Sequence, residues 1–303
     1  MANVFIDGEA GTTGLEIRDR LAAHPRVTVL SIDPARRKDP AAKLEVMREA
    51  DLVILCLPDE ASRETVRVAE ELGDDAPRFL DASTAHRVAP GWVYGFPELV
   101  VSQADLIRSA PMVSNPGCYA TGAIALLRPL VDAKLLPATF PITINAVSGY
   151  SGGGRTMIEE FEGGRARPFE LYGLGLEHKH LPEIMAYAKL ERRPIFVPSV
   201  GNFRQGMLVS IPLHLDELPG EPNLADLHEV LARHYSSGEH VVLANGGEGR
   251  LEPESLNGTN QMELRVLGND ARRHAVLVAK LDNLGKGASA AAVQNLELML
   301  GLA

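Results

Sequence analysis

The glycine-punctuated opening of the chain restricts its fold more than any other stretch. Asn3 to Asp7 is a short apolar run of strand length. Gly8, Gly11 and Gly14 follow at three-residue spacing, and Leu15 to Ala23 then takes helical periodicity. Strand, glycine turn and helix in that order make a phosphate cradle, because glycine lets the backbone approach a pyrophosphate and the helix start supplies N–H donors. The spacing departs from the commoner G-x-G-x-x-G, and a plain loop is the competing interpretation, which the flanking strand and helix disfavour. Gly8, Gly11, Thr12, Thr13 and Gly14 are therefore candidate dinucleotide contacts.

The same alternation continues. Val27 to Ile32, Leu52 to Leu57 and Phe79 to Asp81 read as further strands with helical stretches between them, and the Leu52 run is almost wholly apolar, as a strand covered on both faces should be. Such repetition over about the first hundred residues implies an open parallel sheet, with its ligand crevice beyond the carboxyl ends of the strands. Ser83 and Thr84, just past the fourth strand, become candidate cofactor contacts, with ordinary loop polarity as the alternative. Asp33 at the end of the second strand suits the ribose hydroxyls of NAD, whereas Arg36, Arg37 and Lys38 suit the 2'-phosphate of NADP; the basic cluster favours NADP, and a solvated basic loop is the alternative.

Ser114 to Thr121 (SNPGCYAT) carries the second signal. Pro116-Gly117 marks a tight turn, and the small and aliphatic run that follows predicts a buried helix beginning at Cys118. A thiol at a helix N-terminus meets the positive end of the macrodipole, which favours thiolate; the alternative is a small buried residue with no chemistry. Asn115 in the turn is a candidate substrate contact, and Cys56, inside the third strand, reads as inert packing. His178 and His180 precede a helix opened by Pro182 and Glu183. In extended chain they would point the same way, so His180 is read as the acid or base that handles the proton on sulfur or oxygen, with His178 the close second. A metal is disfavoured because no third ligand is evident.

Beyond Cys118 the strands (Ile142 to Ala146, Ile195 to Val200, Met207 to Leu213) are separated by longer connections, which suggests a mixed sheet with helices on one face. The Ser148 to Arg155 loop, with Ser148, Gly149, Ser151 and Arg155, reads as a nest for phosphate or carboxylate, and Arg204 as a two-point carboxylate anchor; a linker and a surface arginine are the alternatives. The expected class is α/β: a Rossmann-type dinucleotide-binding domain of residues 1–117 and 285–303, and an α+β catalytic and oligomerisation domain of residues 118–284. Two cysteines in 303 residues make no disulfide framework and point to a reducing cytoplasm. A net charge of -10 argues against nucleic acid, and the longest apolar runs are strand length, not membrane-spanning.

The motifs GEAGTTG (8–14), DASTAHR (81–87), YGFPEL (94–99), SNPGCYAT (114–121), SGYSGGGR (148–155), HKHLPEI (178–184) and DNLGKGASAAAVQN (282–295) together resemble the short form of the N-acetyl-gamma-glutamyl-phosphate reductase family. More distantly the chain is similar to aspartate-semialdehyde and glyceraldehyde-phosphate dehydrogenases, which usually carry asparagine where Gly117 stands. The resemblance implies a cytoplasmic arginine-biosynthesis enzyme, a dimer or tetramer, that uses NADPH to reduce a small acyl phosphate through a Cys118 thioester. It also implies nicotinamide-side contacts at Asn283 and Leu284. Aspartyl phosphate or a carrier-bound glutamyl phosphate remain alternative substrates, and a nicotinamide-binding redox sensor an alternative class.

Overall fold

A computed structural model describes residues 1–33, 35–36, 39–244 and 249–303. The chain divides into two compact units: Met1–Pro97, Val101–Pro116 and Ala288–Ala303 form the first, Glu98–Val100 and Gly117–Gly287 the second.

In the first unit β1 (Ala2–Asp7), α1 (Thr12–Ala22), β2 (Val27–Leu30), α2 (Pro40–Glu49), β3 (Leu52–Leu55), α3 (Asp59–Ala69), β4 (Arg78–Asp81), β5 (Val93–Tyr94), α4 (Gln103–Ser109) and β6 (Met112–Ser114) follow in chain order. The strands form one sheet in the order β2-β1-β3-β4-β6-β5, every neighbouring pair parallel. Alternation along each strand sets the layers. Val4, Ile6, Leu52 and Ile54 pack on one face with Ile17 and Leu21 of α1, while Phe5, Val53 and Leu55 pack on the other with Met47 of α2 and Ala69 of α3. With both faces covered, the strands need be apolar on both sides. β3 ends at Leu55, not Leu57, because its ladder with β1 stops at Asp7↔Leu55, where Gly8 turns the chain away at φ +94.

In the second unit come α5 (Cys118–Asp132), β7 (Thr143–Gly149), α6 (Gly154–Glu162), β8 (Phe169–Leu171), α7 (Leu181–Tyr187), β9 (Ile195–Gly201), β10 (Met207–His214), α8 (Leu224–His234), β11 (Val241–Leu243), β12 (Met262–Asn269) and β13 (His274–Leu281). Their sheet runs β11-β12-β13-β10-β7-β9-β8; β7/β9 and β11/β12 are parallel and the other pairs antiparallel. Every residue of α5 from Tyr119 to Leu127 is buried. Small residues let this helix lie close on the sheet: a Cβ at Gly122 would stand 2.9 Å from a methyl of Val209.

The last helix, α9 (Ala290–Met299), belongs to the first unit, where Ala292, Leu296 and Met299 join the cluster around Val4 and Ile6. Arg78 fastens it. Its guanidinium donates to the carbonyls of Arg108 (2.8 Å) and Ala110 (3.1 Å) at the end of α4, and to that of Met299. One side chain thereby satisfies the orphan carbonyls of two helix ends. Among the described residues no helix is long and apolar enough to cross a membrane.

Candidate active site

Strand order in the first unit reverses at β1 and β3, with β2 to one side of the pair and β4 to the other, and the crevice of such a sheet opens beyond those strand ends. The glycine turn lies there. A Cβ at Gly8 would fall 2.4 Å from the carbonyl oxygen of Cys56, and one at Gly14 would fall 2.4 Å from the oxygen of Gly8. Gly11 is different, since its nearest neighbour would be at 3.4 Å. Gly8 and Gly14 are thus required by the protein's packing on itself, and Gly11 leaves the backbone open to an approaching group. Gly11 is also the N-cap of α1, which has no side-chain cap and no acidic residue in its first turn, so Thr12 and Thr13 begin a helix end whose donors fit an anion.

Other predicted contacts are engaged internally. Ser83 donates through its N–H and its hydroxyl to Asp81, both at 2.8 Å, and Thr84 does the same to Asp59. Arg36 pairs with Asp39 (3.1 Å) and Glu45 (3.2 Å); Arg37 and Lys38 lie outside the described residues. Ser31, the residue after β2, was missed: its hydroxyl donates to Glu9 of the glycine turn at 3.0 Å, and Glu9 also holds Arg18. The sequence placed Ser31 inside a second strand running to Ile32, but the strand ends at Leu30 and leaves the hydroxyl just past it. Cys56 lies against the same turn, and burial, reinforced by the charges of Asp81 and Asp7, pushes its thiol up to about 12.

Cys118 is the first residue of α5, with Gly117 as N-cap. The N–H of Gly117 donates to the buried carboxylate of Glu183 at 3.1 Å. Sequence reasoning took Glu183 only as a first-turn helix marker; its place among the buried Leu181 and Ile184 of α7 was the unused clue. Asn115 is a clamp in the turn before the cysteine. Its Nδ2 donates to the carbonyl of Ala288 (3.0 Å), its Oδ1 accepts from Asn295 (3.0 Å), and its own carbonyl accepts from the buried Arg87 (3.1 Å). Tyr119, next to the thiol, accepts a hydrogen bond from the Tyr172 hydroxyl at 2.9 Å and donates to the carbonyl of Ser199 at 3.2 Å. Burial first, and then the Cys118 charge, raise Tyr172 to about 12 against the opposing hydrogen bond to Tyr119, and both phenols stay protonated in the working range.

The histidines come together, but not in extended chain as expected. His180 has helical dihedrals (φ -86, ψ -10), and the segment is a turn closed by Leu181 N–H to the carbonyl of His178 at 3.0 Å. Turning stacks the rings edge to face with centroids 4.7 Å apart, and the Tyr119 ring lies 5.7 Å from His178 and 5.9 Å from His180. The N–H of His180 donates to Nδ1 of His178 at 3.1 Å. That bond needs a lone pair on Nδ1, so neutral His178 carries its proton on Nε2. His180 is the more buried of the two. Among the described residues no three His, Cys, Asp or Glu side chains gather to hold a metal.

The Ser148 to Arg155 loop is no open nest. The N–H groups of Gly149, Tyr150 and Ser151 are taken by the carbonyls of Gly206, Phe203 and Arg204, because the loop packs on the turn before β10. A Cβ at Gly149 would lie 2.6 Å from Arg204 backbone atoms. Ser148 donates to the carbonyl of Gly149, and Ser151 accepts from Asn283, which also takes the N–H of Gly206. Leu284 is buried beside them. Arg155 is exposed at the start of α6, and Arg204 is half exposed and paired with Glu162 at 2.8 Å, so its expected carboxylate is supplied from within the chain.

Residues 118–283 match the family model for the semialdehyde dehydrogenase dimerisation domain. The whole fold agrees with aspartate semialdehyde dehydrogenase II of Vibrio cholerae complexed with ASA (TM-score 0.72, 16% identity, 99% of this chain and 98% of that one). It agrees also with the aspartate semialdehyde dehydrogenase of Candida albicans with NADP (TM-score 0.67, 14% identity, 99% and 98%). A dinucleotide-type parallel sheet joined to this second domain defines the semialdehyde dehydrogenase class. Within it, the N-acetyl-gamma-glutamyl-phosphate reductase of Chelativorans sp. strain BNC1 is 54% identical over 99% of this chain and 98% of its own. The chain therefore belongs to the N-acetyl-gamma-glutamyl-phosphate reductase family.

Proposed function

We propose that this chain reduces N-acetyl-gamma-glutamyl phosphate to N-acetylglutamate semialdehyde and phosphate, a step of arginine biosynthesis, and that it does so in the cytoplasm. The observation that carries the proposal is Cys118 at the N-terminus of α5, next in sequence to Tyr119, whose ring lies against those of His178 and His180. Residues 1–117 and 285–303 serve as the NADP-binding domain in this proposal, and residues 118–284 as the catalytic and oligomerisation domain. Gly8, Gly11 and Gly14 with the start of α1 would hold the pyrophosphate, with Ser31 and Arg36 toward the adenosine end. When bound, NADPH supplies the hydride that converts a thioester to a thiohemiacetal.

The protein's own groups do the rest. The Cys118 thiolate attacks the acyl-phosphate carbonyl, the C–O bond to phosphate breaks, and phosphate leaves with the electron pair. The N-terminal end of α5 favours negative charge on sulfur and on the carbonyl oxygen. After reduction, the thiohemiacetal oxyanion re-forms the carbonyl, the C–S bond breaks, and the Nε2 proton of His178 goes to the departing sulfur, with His180 the alternative donor, which releases aldehyde and free thiol. Glu183 holds the Gly117 amide so that the thiol starts from one position. A second copy of the chain would cover the outer face of the mixed sheet, where Phe169 and Leu171 are 56% and 51% exposed. They border a trough of about 410 Å³ lined by Val197, Leu208 and Val278.

The test is the reverse reaction. N-acetylglutamate semialdehyde, phosphate and NADP should give a cysteine-dependent rise in nicotinamide absorbance, and aspartate semialdehyde should give far less. Turnover of aspartate semialdehyde at an equal rate, or none with either, would reject the substrate assignment.

A further inference from the structure

The YGFPEL stretch has no part in the chemistry above, yet it supplies half of a deeply buried ion pair. Glu98 accepts from the ammonium of Lys286 at 2.7 Å, with the two side chains 8% and 1% exposed and 188 residues apart in sequence. The carbonyl of Glu98 faces His234 of α8 at 3.2 Å. Lys286 lies in a five-residue π turn, Gly285–Ser289. Its neighbour Gly287 is flush against the cysteine: a Cβ there would fall 2.8 Å from Cβ of Cys118. Gly285 is as tightly placed, its Cβ position 2.1 Å from the carbonyl oxygen of Thr259. Asp282, three residues before the turn, is fully buried and accepts from Gln205 (2.8 Å), Gly258 N–H (2.7 Å) and Leu284 N–H (3.0 Å).

Lys286 is flanked by two glycines, and glycine backbone has the most freedom to lose and the least side chain to hold it. π turns are uncommon and cluster at functional sites. A buried ion pair is seldom a net gain over apolar residues of the same volume, so stability alone does not account for one here. What a charged pair adds is direction: one ammonium must meet one carboxylate, which fixes the turn's place.

We propose that the Glu98–Lys286 pair is a positioning device for the nucleophile, holding the glycine-flanked turn against Cβ of Cys118 so that the thiol attacks from one fixed place. The proposal rests on Cys118 as the nucleophile, and a preliminary control separates the two. If wild-type protein alkylated at Cys118 keeps its activity, it is the nucleophile assignment that fails.

The test compares Glu98→Gln, which removes the carboxylate charge opposite Lys286, with the double variant Glu98→Leu/Lys286→Met, which removes both charges. Melting temperature, reverse-direction kcat and KM, and the iodoacetamide rate at Cys118 are measured for each. Glu98→Gln should lower the melting temperature, and the double variant should bring it back to within about 2 °C of wild type. Both should lose kcat by at least about tenfold with KM within about twofold, and both should alter the Cys118 alkylation rate by more than about threefold. If the double variant regains kcat and alkylation rate together with stability, or if neither variant changes them, the positioning role is overturned. Should the double variant not fold, Glu98→Asp decides: the charge stays and its reach shortens, so kcat should fall by at least about threefold with stability kept, and unchanged kcat would overturn the proposal.

Discussion

Cys56 follows β3 of the parallel sheet, and Cys118 begins the buried helix of the mixed-sheet unit; each has a glycine pressed against it. At Cys56 the neighbour is Gly8, which packs on the carbonyl oxygen, and at Cys118 it is Gly287, which packs on the side chain's own Cβ. Near Cys56 stand two carboxylates, Asp81 and Asp7, and an apolar sheet, all of which favour the neutral thiol. Cys118 stands at the start of a helix, and the residue after it, Tyr119, is bonded to a second phenol, Tyr172, and lies against two imidazoles. The two thiols sit in opposite surroundings, and under the proposed chemistry the packing glycines differ in the same way: one would shape the ligand-binding turn, the other would seat the nucleophile.

The largest expected contrast is catalytic. Cys118→Ser should cut the reverse rate by at least about a thousandfold, while Cys56→Ala should stay within about twofold of wild type, both read from steady-state absorbance. Equal losses in the two variants would erase the distinction. Replacing His178 by asparagine should lower kcat by about a hundredfold, and comparison with His180→Asn under the same conditions identifies the proton donor by the larger loss.

The glycines sharpen the contrast next. Gly287→Ala should act mainly on kcat, by about tenfold or more, through displacement of the thiol. Gly8→Ala should instead raise KM for NADPH and cost about 1–3 kcal/mol of stability in denaturant unfolding, from strain at positive φ. The smallest effect concerns pH. Cys56 has a folded pKa raised above its unfolded value, so the folded state retains a proton that the unfolded chain releases, and stability is lost as pH rises from about 9 to about 12. Cys56→Ala should flatten that alkaline decline in thermal melts, and iodoacetamide at pH 8 should label Cys118 but spare Cys56 until denaturant is added.

Much of the first unit was legible because its signals are local. A strand, a glycine turn and a helix occupy consecutive residues, and the apolar run of β3 declares two covered faces whatever it pairs with. Cys118 at the head of α5 was legible for the same reason. The polar candidates were not, because a polar side chain in sequence does not reveal its partner. Ser83, Thr84, Asn115, Asn283 and Arg204 all looked available for ligands, and the fold commits each to a group in the chain. The Ser148 loop looked like an anion nest until the turn at 203–206 took its N–H groups. Glu183 read only as a helix marker and Glu98 only as part of a motif, and the carboxylates of both are buried.

What the sequence determined by itself is the strand and helix alternation of the first unit, the glycine turn at Gly8–Gly14, the helix that starts at Cys118 and the family that these motifs mark. Only the tertiary structure decided which polar groups stay open and which are fastened together. The Gly117 amide meets a carboxylate 66 residues away, and Lys286 meets one 188 away. Periodicity and turn chemistry act between neighbours in sequence, whereas the partner of a buried charge is set by where the folded backbone brings a second charge, and no local pattern encodes that distance.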